Sequence, residues 1–132
     1  MTIATPEEFV RLRTSEVPDD YRRAANEDAP LDVWYAVIAE HPDMRFWVAQ
    51  NKTVPAAVLE LLSEDPDAGV RGMVARKRRA GPAVLDRLAA DPDDGVRAAV
   101  AGNPRTPAAV LERLRDDPVA QVAGVAARRL GA

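Results

Sequence analysis

A proline preceded by an acidic or capping residue returns along this chain at nearly constant intervals. His41-Pro42, Asp65-Pro66, Asp91-Pro92 and Asp117-Pro118 form the series, Val17-Pro18 is a weaker first member, and the intervals are 24, 24, 26 and 26 residues. A second proline falls midway in each interval, at Pro30, Pro55, Pro82 and Pro107. Short apolar ladders follow both prolines, such as Val96-Arg-Ala-Ala-Val-Ala101 after the first and Val110-Leu-Glu-Arg-Leu114 after the second. A period of this length means a row of small units, none of which can bury its apolar face without a neighbour.

Within a repeat the apolar positions have helical spacing. Val96, Ala99 and Val100 stand at i, i+3 and i+4, Val110, Leu111 and Leu114 do likewise, and no strand-like alternation occurs. Asp91 and Asp117 are expected to cap helices that begin at the following proline, and Thr106-Pro107 to do the same for a second helix. Gly102-Asn103 reads as a helix stop. Thr5-Pro6-Glu7-Glu8 is a further helix start, which places Phe9, Val10 and Leu12 on a capping helix. The expected fold is all-α: a right-handed α-solenoid of about four and a half two-helix repeats. A cap helix would occupy residues 1–16 and the array residues 17–132, with repeats near 17–40, 41–64, 65–90, 91–116 and 117–132. The end repeats are atypical, with Tyr21-Arg22-Arg23 in the first and no second helix in the last.

Composition narrows the function. The 132 residues suffice for one domain, and 18 Lys+Arg against 21 Asp+Glu give a net charge of −3, which supplies no overall pull toward nucleic acid or acidic membranes. With no cysteine and one histidine, thiol catalysis, Cys-type zinc sites and multi-His metal sites are excluded. The first residues lack the apolar core of a signal peptide and no apolar run reaches membrane-spanning length, so a cytoplasmic location is expected. His41 occupies the register of Asp65, Asp91 and Asp117 and reads as a cap, Ser15 and Ser63 lack a nucleophile motif, and no phosphate-cradling glycine loop exists. No catalysis, cofactor or metal is expected.

Three surface features remain. Arg45, Arg71 and Arg97 share one register, with Asp43, Asp67 and Asp93 shortly ahead, and read as an Asp–Arg ladder between repeats. Acids concentrate in the loops between repeats, while the loops within repeats carry Lys52, then Arg76-Lys77-Arg78-Arg79, then Arg105, so that one edge should be acidic and the other basic. The run Arg76 to Arg79 interrupts the asparagine register of Asn51 and Asn103, and is the candidate contact for an anion or nucleic acid. All six aromatic residues lie between Phe9 and Trp47. Trp34 takes a leucine register and belongs to the core. Tyr35 takes the register of Glu60, Asp86 and Glu112, and Phe46 that of Gly72, Ala98 and Gly124. Tyr35, Phe46, Trp47 and the nearby Lys52 are therefore the candidate partner-binding residues, with packing on the cap helix through Phe9 and Leu12 as the alternative for the aromatics.

The segment Asp91-Pro-Asp-Asp-Gly-Val-Arg-Ala-Ala-Val-Ala-Gly-Asn-Pro-Arg-Thr-Pro-Ala-Ala-Val-Leu-Glu-Arg-Leu114 resembles the leucine-rich repeat variant, a bacterial family similar in style to HEAT repeats, and the likeness runs over roughly residues 17 to 130. It implies short alternating helices in a superhelix and a role in binding proteins. The N-terminal cysteine cluster of some members, which holds an iron–sulfur group, has no counterpart here. The strand-forming pattern of ordinary leucine-rich repeats is also absent. The expected function is a monomeric, non-catalytic protein-interaction module, either an adaptor or a small inhibitor or immunity-type binder. The alternative is a nucleic-acid-associated module acting through residues 76–79.

Overall fold

The computed structural model describes residues 2–131, and the chain divides into two compact units, residues 1–62 and 63–132. Among the described residues the regular structure is helical apart from one isolated bridge between Thr2 and Asp28.

The N-terminal unit contains α1 (Pro6–Thr14), α2 (Pro18–Asn26), α3 (Leu31–Glu40), a 3-10 turn (Pro42–Met44), α4 (Arg45–Gln50) and α5 (Ala56–Leu62). As expected, α1 starts at a capped proline: Thr5 Oγ1 accepts from Glu8 N at 3.1 Å, and Glu8 returns a carboxylate oxygen to Ala4 N at 2.8 Å. Its apolar side faces inward, with Phe9 and Leu12 fully buried, and the Phe9 ring meets Trp34 edge to face at 5.3 Å. Burying such side chains supplies about 1.5–3 kcal/mol each, which holds helices too short to persist alone. α1 packs on α2 and α3, and α3 on α4 and α5.

The C-terminal unit shows the repeat more plainly. Its elements are α6 (Ala68–Ala75), a 3-10 turn (Arg78–Ala80), α7 (Pro82–Leu88), α8 (Asp94–Gly102), α9 (Ala108–Leu114) and α10 (Ala120–Arg129). The first helices of successive repeats pack side by side, α6 on α8 and α8 on α10. Register-equivalent residues fill the core: Val70, Val96 and Val122 in one row, and Leu85 and Leu111 in another. Gly81 precedes α7 at φ +87°, a conformation that side-chain-bearing residues rarely adopt.

Two expectations about helix starts need correction. Neither Asp91 nor Asp117 caps a helix beginning at its proline, because α8 starts at Asp94 and α10 at Ala120. The α8 cap is Asp93, which accepts from Val96 N at 3.1 Å. Asp91 and Asp117 instead fold back on the backbone two residues ahead, accepting from Asp93 N and Val119 N at 2.9 Å. Thr106 is not a side-chain cap for α9 either; it donates to Val100 O at 2.6 Å, closing the end of α8.

The Asp–Arg ladder exists, with different acids from those expected. Arg71 Nε donates to Asp91 at 2.8 Å and Arg97 Nε to Asp117 at 2.8 Å, each acid lying 20 residues ahead in the next repeat. The same guanidinium groups reach back to their own repeat, Arg71 to Asp65 O and Arg97 to Asp91 O, both at 2.8 Å. Asp67 and Asp93 serve as helix caps, which removes them from the ladder. Burial opposes ionisation of Asp91, but the Arg71 hydrogen bond and the Asp93 N–H outweigh it and hold its pKa below the usual value. The Arg97 hydrogen bond does the same for Asp117 against a smaller burial penalty. Much of the acid between repeats is therefore internal structure here rather than a free ridge.

Candidate interaction site

Exposed apolar side chains are unevenly distributed. Among the described residues the large hydrophobic side chains left open to solvent are Val17, Tyr21, Leu31, Tyr35 and Leu61, all in the N-terminal unit. Leu31 and Tyr35 stand four residues apart on α3 and share a face, 45% and 37% exposed. The solvent position assigned to Tyr35 from its register is thus what the structure has.

Phe46 and Trp47 are both half-buried and meet edge to face with ring centroids 4.8 Å apart. Trp47 does pack on the cap helix, though through a cation: the Arg13 guanidinium lies 3.4 Å from its ring centroid and 5.4 Å from that of Tyr21. Phe9 and Leu12, the contacts expected from sequence, go into the core instead.

Arg13 and Lys52 line an open groove of about 620 Å³, joined by Tyr21, Arg22, Ala25 and Asn26 of α2 and by Gln50 at the end of α4. The groove is shaped by backbone closure behind it. Lys52 N donates to Ala25 O at 2.8 Å, and the buried Asn51 side chain donates to Ala24 O at 2.7 Å and Glu27 O at 2.9 Å. These bonds fix the loop after α4 against the end of α2 and leave the Lys52 side chain outside. Arg13, Tyr21 and Arg22 were not singled out as binding residues by sequence. Their only signal was an aromatic in an atypical first repeat, since arginines on helix surfaces are commonplace.

The basic run is divided by its burial. Arg76, Arg78 and Arg79 are exposed, whereas Lys77 is half-buried and holds the register of Asn51, Asn103 and Arg129 at intervals of 26 residues. Asn103 brings Arg105 beside it: the buried carboxamide donates to Ala75 O at 2.8 Å and Lys77 O at 2.9 Å, and accepts from Arg105 N at 2.8 Å. Arg129 repeats the arrangement one period on, reaching Ala101 O at 3.0 Å and Asn103 O at 2.9 Å.

His41 closes α3 through its backbone N–H and makes no side-chain cap. One donor atom from each of Glu7, Glu40 and His41 lies within 4.8 Å of the others. Both carboxylates are exposed, and the group is a surface charge cluster. No helix among the described residues is long and apolar enough to cross a membrane.

No curated protein and no solved structure matches the chain. Residues 94–119, spanning one 26-residue period from the start of α8, match the family model described as leucine rich repeat variant. That match overlaps the segment Asp91 to Leu114 from which the resemblance was read, and the chain is similar to the leucine rich repeat variant over those 26 residues.

Proposed function

We propose that this protein is a non-catalytic protein-interaction module, an adaptor or a small inhibitory binder, whose contact surface lies in residues 1–62. The observation that carries this reading is the asymmetry of exposure: two units built from similar helix pairs differ in that, among the described residues, all five exposed large hydrophobic side chains belong to the first. Single exposed apolar residues are ordinary, but their restriction to one unit, with a same-face pair on α3, fits an interaction surface. The leucine rich repeat variant match over residues 94–119 supports the same class, since such repeats commonly bind proteins.

The test is affinity capture of the tagged chain from native lysate, with and without nuclease, beside the double variant Leu31→Asp/Tyr35→Ala. A stoichiometric protein partner should survive nuclease and be lost with the double variant, whose melting temperature stays near that of the parent because both residues are already exposed. An unchanged capture profile in the variant would overturn the assignment of the surface. Partners that disappear with nuclease would transfer the role to the exposed Arg76, Arg78, Arg79 and Arg105.

A further inference from the structure

The geometry points to the groove of Arg13, Tyr21, Arg22 and Lys52 as a binding site for an acidic peptide segment of a partner protein. Carboxylates would meet Arg13 and Lys52, and an apolar side chain would lie against Tyr21. This deepens the reading of residues 1–62 as a protein-binding surface and rests on it.

Three cations and no acid line the groove. Among the described residues neither Arg13 nor Lys52 has an ion-pair partner. The Arg22 pair with Asp19 is exposed on both sides, so it exchanges readily with a competing carboxylate. Arg13 is held by rings instead of by an acid: its guanidinium is stacked on Trp47 and also faces Tyr21. A guanidinium fixed by stacking keeps its N–H edges in the plane, where they suit bidentate contact with a carboxylate, and has lost part of its rotamer freedom beforehand. Complementing helix dipoles explains a base after each helix end, but not the convergence of three cations on one groove that Tyr21 also lines.

Charge and size select the ligand. The chain carries a net charge of −3, so the groove is a local inversion in an acidic molecule. Fields decay within about 8 Å at physiological salt, so a few carboxylates inside the groove feel its cations, while a long polyanion also meets the surrounding negative surface. A volume of about 620 Å³ admits a few residues of extended peptide. These features favour an acidic peptide over nucleic acid.

The test is selection of a displayed random-peptide library, about 12 residues per member, against the intact protein, followed by titration of the enriched peptides as synthetic fluorescent ligands. Enrichment of Asp- and Glu-containing peptides is expected, with affinity falling about tenfold in Lys52→Glu and in Arg13→Gln and unchanged in Arg78→Glu. Lys52→Gln gives an intermediate loss and guards against misfolding of the reversed variant. Enrichment of apolar or basic peptides, no enrichment, or acidic peptides indifferent to Lys52→Glu would each overturn the assignment. Apolar peptides lost with Leu31→Asp/Tyr35→Ala would overturn it while leaving the protein-binding reading intact. Oligothymidylate binding that depends on Lys52, or concentration-dependent self-association that blocks peptide binding, would hand the groove to nucleic acid or to a second copy.

Discussion

Asn103→Ala should lower the free energy of unfolding by about 3 kcal/mol, a large loss for one small side chain. The carboxamide is 2% exposed and satisfies three backbone groups: the carbonyls of Ala75 and Lys77 and the N–H of Arg105. Alanine removes all three bonds and leaves two carbonyls and one N–H without the side chain that satisfied them. Each buried polar group deprived of its partner costs about 1–3 kcal/mol, and the groups here lie close enough that the costs overlap. Asn103→Asp is the sharper variant. It keeps the volume and the acceptor for Arg105 N–H, but points a carboxylate at two carbonyl oxygens, and it should be at least as damaging. Urea unfolding followed by circular dichroism measures both. The midpoint should fall at unchanged slope, and a loss below about 0.5 kcal/mol would mean that solvent reaches the site.

Acidification is expected to weaken the protein in a way that Asp91→Asn removes. The native Asp91 and Asp117 carboxyl groups ionise below their ordinary range, while in the unfolded chain they titrate near pH 3.9. Their contribution is thus complete above about pH 5, declines as the pH falls past the unfolded value, and is gone below the native one. At neutral pH, Asp91→Asn should cost about 2 kcal/mol, since the Arg71 and Asp91 side chains are 16% and 5% exposed and the guanidinium would lose its counter-charge. That figure sits below the usual range for a broken buried pair because the substituted carboxamide could still accept from Asp93 N–H. The gap between parent and variant should narrow as the pH falls below about 3.9. A gap that stays constant from pH 7 to pH 3 would show that the ion pair contributes nothing through its charge.

Period and helix type were legible because they depend on the placement of valine and leucine, which burial dictates repeat by repeat. Trp34 was placed in the core for that reason and is there. The ends of helices were less legible. An Asp-Pro pair suits a cap, but Asp91 is worth more as the partner of Arg71, and that contact spans 20 residues that no local pattern reveals. Once Asp91 is so engaged, Asp93 takes over the cap. The partner of Trp47 escaped for a related reason: an arginine on a helix surface gives no sign of whether it faces water or an aromatic ring three helices on. The buried role of Asn103 could have been suspected from its recurrence with Asn51, since an asparagine kept at one register in an apolar array implies backbone groups to satisfy.

The links along residues 63–132 have fixed reach. Guanidinium meets carboxylate 20 residues ahead, and Asn103 and Arg129 meet carbonyls 26 residues behind. The block 91–116 therefore offers its predecessor the Asp91 carboxylate and the Asn103 amide, and offers its successor the Arg97 guanidinium and its own carbonyls. In-frame duplication of one such block in the coding DNA would deliver a segment whose polar ends already fit both new neighbours. An insertion of any other length would misalign the arginine and asparagine links together. In this part of the chain the number of repeats is free to drift over evolutionary time, while the period is locked by side chains whose hydrogen bonds join one repeat to the next.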